Sequence, residues 1–106
     1  MVEATPWIEP DLDGTSRMVC PGCGEANLYQ DTVEVFNRDN EDSGTGLHVR
    51  IDGQTLSLDE DMKGTPSGRR DGLYITFVCE HCPSRVWLSI VQHKGTTYLN
   101  IGQESS

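Results

Sequence analysis

From Arg17 onward, apolar and polar residues alternate with a period of two through most of the chain. That period places successive side chains on opposite faces of a β-strand. "LYQDTVEVFNR", Leu28 to Arg38, reads as a strand with Tyr29, Val33 and Val35 on one face. "LHVRI", Leu47 to Ile51, puts Leu47, Val49 and Ile51 inward and His48 and Arg50 outward. Asp52–Gly53 suits a tight turn, and "QTLSL" returns as the second arm of a hairpin. "LYITFVC", Leu73 to Cys79, aligns Leu73, Ile75 and Phe77. "RVWLSIVQH", Arg85 to His93, and "TTYLNIG", Thr96 to Gly102, form a last hairpin across Lys94–Gly95. The polar, Gly-rich stretches 39–46 and 59–72 read as loops. No stretch carries a helical period and no segment repeats. The expected class is all-β and antiparallel.

Composition sharpens this picture. The chain has 106 residues, of which 35% are hydrophobic and 16 are Gly or Pro. One small domain with a modest core follows, and small cores commonly need a staple. Residues 17–102 are expected to form that domain, with residues 1–16 an acidic tail and 103–106 a short C-terminal one. The first segment carries Glu3, Glu9, Asp11 and Asp13 without a basic residue, around Trp7, Ile8 and Leu12. It either folds back on the domain or docks on a partner. It has neither the basic nor the apolar region of a signal peptide, and no apolar run approaches the ~20 residues that span a bilayer. A cytoplasmic location and no membrane contact are expected. The net charge of −9 disfavours broad attraction to nucleic acid or anionic lipid.

Four cysteines supply the staple. Cys20-x-x-Cys23 and Cys79-x-x-Cys82 are matched pairs, and a two-residue gap lets one tight turn aim both sulfurs at a point. Two such turns furnish the four thiolates of a tetrahedral Zn²⁺ site. Gly22 and Gly24 fit the sharp first turn. Disulfides would need an oxidising compartment, and a redox Cys-x-x-Cys belongs at the start of a helix. An iron–sulfur cluster on the same ligands stays open. One structural zinc is the expected cofactor, with no coordination position left for a catalytic water. His81, inside the second turn, is expected beside the site or in solvent.

Two Cys-x-x-Cys turns on antiparallel strands resemble the zinc-ribbon superfamily. "TFVCEHCPSRVWL", Thr76 to Leu88, is similar to the final strand-turn-strand of ribbons in transcription elongation factors and small RNA polymerase subunits. The resemblance implies a zinc ribbon, here with an inserted hairpin at Leu47 to Leu58. In those ribbons an Asp-Glu pair at a hairpin tip reaches the polymerase active site. The matching positions here are Asp71 and Gly72, so the pair is broken. "GTPSGRRDG" and "QHKGTTYL" also resemble segments of small bacterial and phage proteins, which imply no activity.

Outside the cysteines, "MKGTPSGRRDG" concentrates Lys63, Arg69 and Arg70 in a shaped loop. Adjacent arginines suit phosphate or carboxylate, unless they pair locally with Asp59, Glu60, Asp61 or the N-terminal acids. His93 and Lys94 at the last turn, near Tyr98, form a second cationic candidate. Trp87 is expected to pack in the ribbon rather than stack on a base. No catalytic constellation assembles. The expected function is a non-catalytic interaction module docking on a protein partner as a regulator or accessory protein, with a nucleic-acid or transcription-machinery ribbon as the alternative. Oligomeric state is open, and the last hairpin leaves a free edge.

Overall fold

A computed structural model describes residues 8–10, 14 and 16–104. Trp7 and Leu12 lie outside the described residues. Two short strands, β1 (Ile8–Pro10) and β2 (Ser16–Met18), pair antiparallel as a small separate sheet. Six further strands follow: β3 (Leu28–Arg38), β4 (Thr45–Asp52), β5 (Thr55–Asp61), β6 (Gly72–Cys79), β7 (Arg85–His93) and β8 (Thr96–Glu104). They form one antiparallel sheet in the order β5-β4-β3-β6-β7-β8. The all-β, antiparallel expectation holds, and no helix occurs among the described residues. Accordingly no helix is long and apolar enough to cross a membrane.

The strand limits modify the expected boundaries. Residues 8–10 and 16 join strands rather than a featureless tail, and β8 continues to Glu104. The hairpin β4–β5 adds to the free edge of β3. Its turn falls one residue later than expected, at Gly53–Gln54, because Asp52 itself pairs with Thr55. Gly53 has φ +62 and Gln54 does not, the pattern of a type II′ turn with glycine first. Lys94 (φ 51) and Gly95 (φ 80) both take positive values, as a type I′ turn requires.

The register assembles two rows of aliphatic side chains on one face. One row runs Leu56, Ile51, Val33, Ile75, Leu88, Ile101 across the six strands. The next runs Leu58, Val49, Val35, Leu73, Ile90, Leu99. Tyr29 is not on this face, contrary to expectation. The β3–β6 register shifts between Gln30 and Thr32, so Asp31 is an extra residue that inverts the alternation. The sheet has no second layer among the described residues, and the chain's radius of gyration is 15.0 Å, against about 13 Å for a compact chain of this length.

Burial follows from what does cover the sheet. At one end, the first cysteine turn and Met18 fold over the aliphatic face, closing a core of Cys20, Cys79 and Val86. The opposite, polar face carries its own core around Phe36, fully buried and paired with Gly72. Gly72 has no side chain to obstruct Pro66 and Thr65, which sit within about 3.3 Å of where a Cβ would stand. The connection 62–71 thus lies over this face at the end remote from the cysteines. Leu47 and Ile51, expected inward, are 51% and 42% exposed. Alternation separates two faces but does not say which one the chain itself covers.

Candidate metal centre

The first cysteine turn precedes β3 and the second joins β6 to β7. The sheet holds them together because Leu28 pairs with Cys79 at the end of β3 and β6. The first turn closes with Gly24 N–H donating to the Cys20 carbonyl at 2.7 Å and Cys20 N–H to the Glu25 carbonyl at 2.8 Å. Gly24 takes φ +79, which a Cβ would strain. A Cβ on Gly22 would lie 2.6 Å from Gln103 Oε1 and 2.9 Å from Ser84 Oγ, the ends of side chains that can turn aside.

The four sulfurs of Cys20, Cys23, Cys79 and Cys82 all lie within 4.8 Å of one another. Cys20 Sγ is 3.6 Å from Cys82 Sγ, and Cys23 Sγ is 3.5 Å from Cys79 Sγ. Disulfides would bring sulfurs to about 2.05 Å. Four sulfurs ~2.3 Å from a central ion have tetrahedral edges of ~3.8 Å, close to these spacings. The donor set therefore fits a metal ion.

Backbone N–H groups face the sulfurs in the same way in both turns. Gly22 N–H donates to Cys20 Sγ at 3.3 Å and His81 N–H to Cys79 Sγ at 3.4 Å. Glu25 and Ser84 do the same for Cys23 and Cys82. Each cysteine thus receives a donor from the residue two positions on, an arrangement that stabilises thiolate and orients the ligand. The Ser84 hydroxyl and N–H pull Cys82 down to about 6. Burial, and the neighbouring thiols after it, push Cys20 up. Cys23 receives the Glu25 N–H, yet desolvation and the adjacent thiols carry it up to about 12. Crowded thiols thus resist ionising together, a cost that a bound cation would offset. His81 is outside the donor set: its Nε2 lies 2.8 Å from Asn27 Oδ1, and the residue is exposed.

The other candidates lie at the opposite end. Arg69 meets Glu41 at 2.7 Å and Asp42 at 3.2 Å, and Arg70 meets Glu41 at 3.6 Å. Among the described residues local pairing thus occurs, with the β3–β4 turn rather than with Asp59, Glu60 or Asp61; the side chains of the N-terminal acids lie outside the described residues. The Lys63 N–H donates to Asp61 Oδ1 at 2.9 Å. His93 and Lys94 are exposed at the β7–β8 turn. The loop is tied to the same end of β7, through Ser67 Oγ to the Gln92 carbonyl and Gln92 N–H to the Asp71 carbonyl. Trp87 lies across Gly102, where a Cβ would come within 2.4 Å of Cζ2, and stacks with Tyr74 at 6.1 Å.

Two residues escaped the sequence reading. Arg38 donates to the carbonyls of Ser43, Ser67 and Arg70, pinning both loops. His48, expected to be simply exposed, is a correction. Its ring stacks on Phe36 at 4.3 Å and bonds Glu34 at 3.1 Å and Asp59 at 2.9 Å. Burial alone would lower its pKa, but hydrogen bonds to Asp59 and Glu34 prevail and raise it. Only the positions i and i+2 along β4 hinted at a polar row, and the partner strands are set by tertiary register.

The chain matches no known protein family, no curated protein and no solved structure.

Proposed function

We propose that this protein is a zinc-stapled, non-catalytic interaction module of the zinc-ribbon kind. The observation that carries the reading is the four-sulfur cage, with edges of 3.5 and 3.6 Å and a backbone donor on every cysteine. Edges of that length suit one ion better than the larger inorganic core of an iron–sulfur cluster. Among metals, a tetrahedral tetrathiolate set suits zinc. Four thiolates close the coordination sphere, so the metal's role is to hold the fold. A reducing, cytoplasmic setting accompanies this proposal, since free thiolates persist there.

The interaction role is supported by what surrounds the cage. The sheet leaves a broad aliphatic face uncovered. Large exposed apolar patches mark association sites in soluble proteins. The Arg69–Arg70 loop is the weaker candidate surface, because Glu41 and Asp42 already answer its charge.

The test is metal analysis followed by capture. One zinc per chain, and a tetrahedral tetrathiolate spectrum after cobalt replacement, are expected. Zinc-loaded protein should then retain a protein partner through nuclease treatment and lose it on chelation. Recovery of nucleic acid, with everything lost to nuclease, would overturn the reading in favour of a nucleic-acid-binding ribbon.

A further inference from the structure

The two aliphatic rows are unusual for what they exclude. The chain carries 17 acidic and 8 basic residues, yet neither row contains one. Glu34, Arg50, Asp52 and Asp59 all point to the other face. By alternation Glu60, at the outer end of β5, falls on the aliphatic side, and Asp71 borders it beside Val35, Leu73 and Ile90. Leu56, Leu58 and Leu99 are 61%, 63% and 49% exposed, and Ile51 is 42% exposed.

The size of this face limits its occupant. Six strands spaced ~4.8 Å apart make it about 29 Å wide, and two rows of alternate residues, about four positions at ~3.4 Å each, give it a depth of about 14 Å. That is roughly 400 Å² in projection, within the range for the largest apolar patch of a typical monomer. One extended segment covers a strip only ~5 Å wide. Residues 1–15 offer few large apolar side chains, and residues 8–10 already pair with β2. A surface of equal width, equally flat and equally uncharged is required.

We infer that this face seats a second copy of the chain, packed sheet on sheet about a two-fold axis. The proposal deepens the interaction-module reading and rests on it. A two-fold axis presents each face with a partner of its own width and chemistry. The pair would cover about 800 Å² in projection, so the dimer belongs with small, concentration-dependent interfaces. Charge allows it as well. Sheets stack ~10 Å apart, so the two charged faces stand ~20 Å apart, beyond the Debye length of ~8 Å. Two chains of charge −9 thus meet through neutral surfaces.

The test uses zinc-loaded full-length protein in light scattering coupled to size exclusion across the micromolar range. Wild type should run at twice the chain mass of 11.7 kDa. Ile51→Glu/Leu99→Glu should run at the single mass with unchanged far-UV dichroism and zinc content, since both positions are exposed in the lone chain. Should the double variant lose its fold, Leu99→Glu alone replaces it. Ser57→Glu, on the other face of β5, should stay at twice the mass. A doubled mass that survives both glutamates overturns the inference and places contact at a sheet edge. Wild type at the single mass also overturns it, and anilinonaphthalene sulfonate then separates two cases. Strong binding of the dye leaves the face open to a different protein, and the interaction-module reading stands. No binding means that residues 1–15 cover the face, and both readings fall.

Discussion

Replacing Cys23 by serine separates a ligand from a bystander. Cys23 is exposed, whereas Cys20 and Cys79 are buried. Serine at either buried position would destabilise the protein whether or not a metal binds, because an oxygen would replace a packed sulfur. Serine at Cys23 disturbs almost no packing. If Cys23 were an ordinary surface thiol, the melting temperature should move by less than about 4 °C. As one of four zinc ligands it should matter far more. Structural zinc contributes ~10–16 kcal/mol in small peptides. A quarter of that, at ~4–8 °C per kcal/mol for a domain near this size, is a fall of ~10–30 °C. The assay is thermal unfolding followed by far-UV dichroism, with zinc counted per chain. Chelation of wild type should do at least as much, because the described core has only three fully buried large side chains, Phe36, Val86 and Cys20. A Cys23→Ser protein that melts within 4 °C of wild type and retains a full zinc would refute the reasoning.

Other expectations follow from the same geometry. The pKa of His48 is raised, so its stabilising effect is complete below the unfolded value of ~6.5 and is lost as pH rises through the folded value. Denaturant titrations of zinc-saturated protein should show wild type losing stability above that pH relative to His48→Gln; parallel profiles would dismiss the Glu34–His48–Asp59 linkage. Gly102→Ala forces a Cβ to 2.4 Å from Trp87 and should cost about 1–3 kcal/mol. Gly44→Ala, with open space around it, is the control and should stay within ~0.5 kcal/mol. Arg38→Leu removes charged donors to three carbonyls and should cost about 2–4 kcal/mol, one such bond being worth ~1.5–3. Amide exchange should accelerate across 62–71, and unchanged protection there would show that the loop holds without Arg38.

Strand positions were legible because each alternating run is long and bounded by Gly-rich breaks. The limits of β3 and β7 match the sequence reading residue for residue. The cysteine cluster was legible for a different reason: two equal gaps of two residues carry their geometry with them. What failed were statements about sides. Asp31 inserts one residue into β3, and no local signal marks it, so Tyr29 was placed on the wrong face. Leu47 and Ile51 were read as interior because they are apolar, but interior status needs a covering layer. His48 and Arg38 work through partners 5 to 32 residues away in sequence, across turns and neighbouring strands, which strand periodicity cannot supply.

The ligand pairs stand 55 residues apart, and their meeting point coincides with the start of the β3–β6 ladder. Metal capture and sheet closure therefore complete the same ring. The entropy of closing it is incurred once and serves both, and this long-range pairing is what makes such topologies slow to assemble. During synthesis, three strands of the large sheet and half the cage precede the segment that finishes them. Until Cys82 emerges, β3, β4 and β5 can form only a local meander. The same late segment supplies both the middle of the sheet and the last two sulfurs, so a chain truncated before it lacks core and cage together.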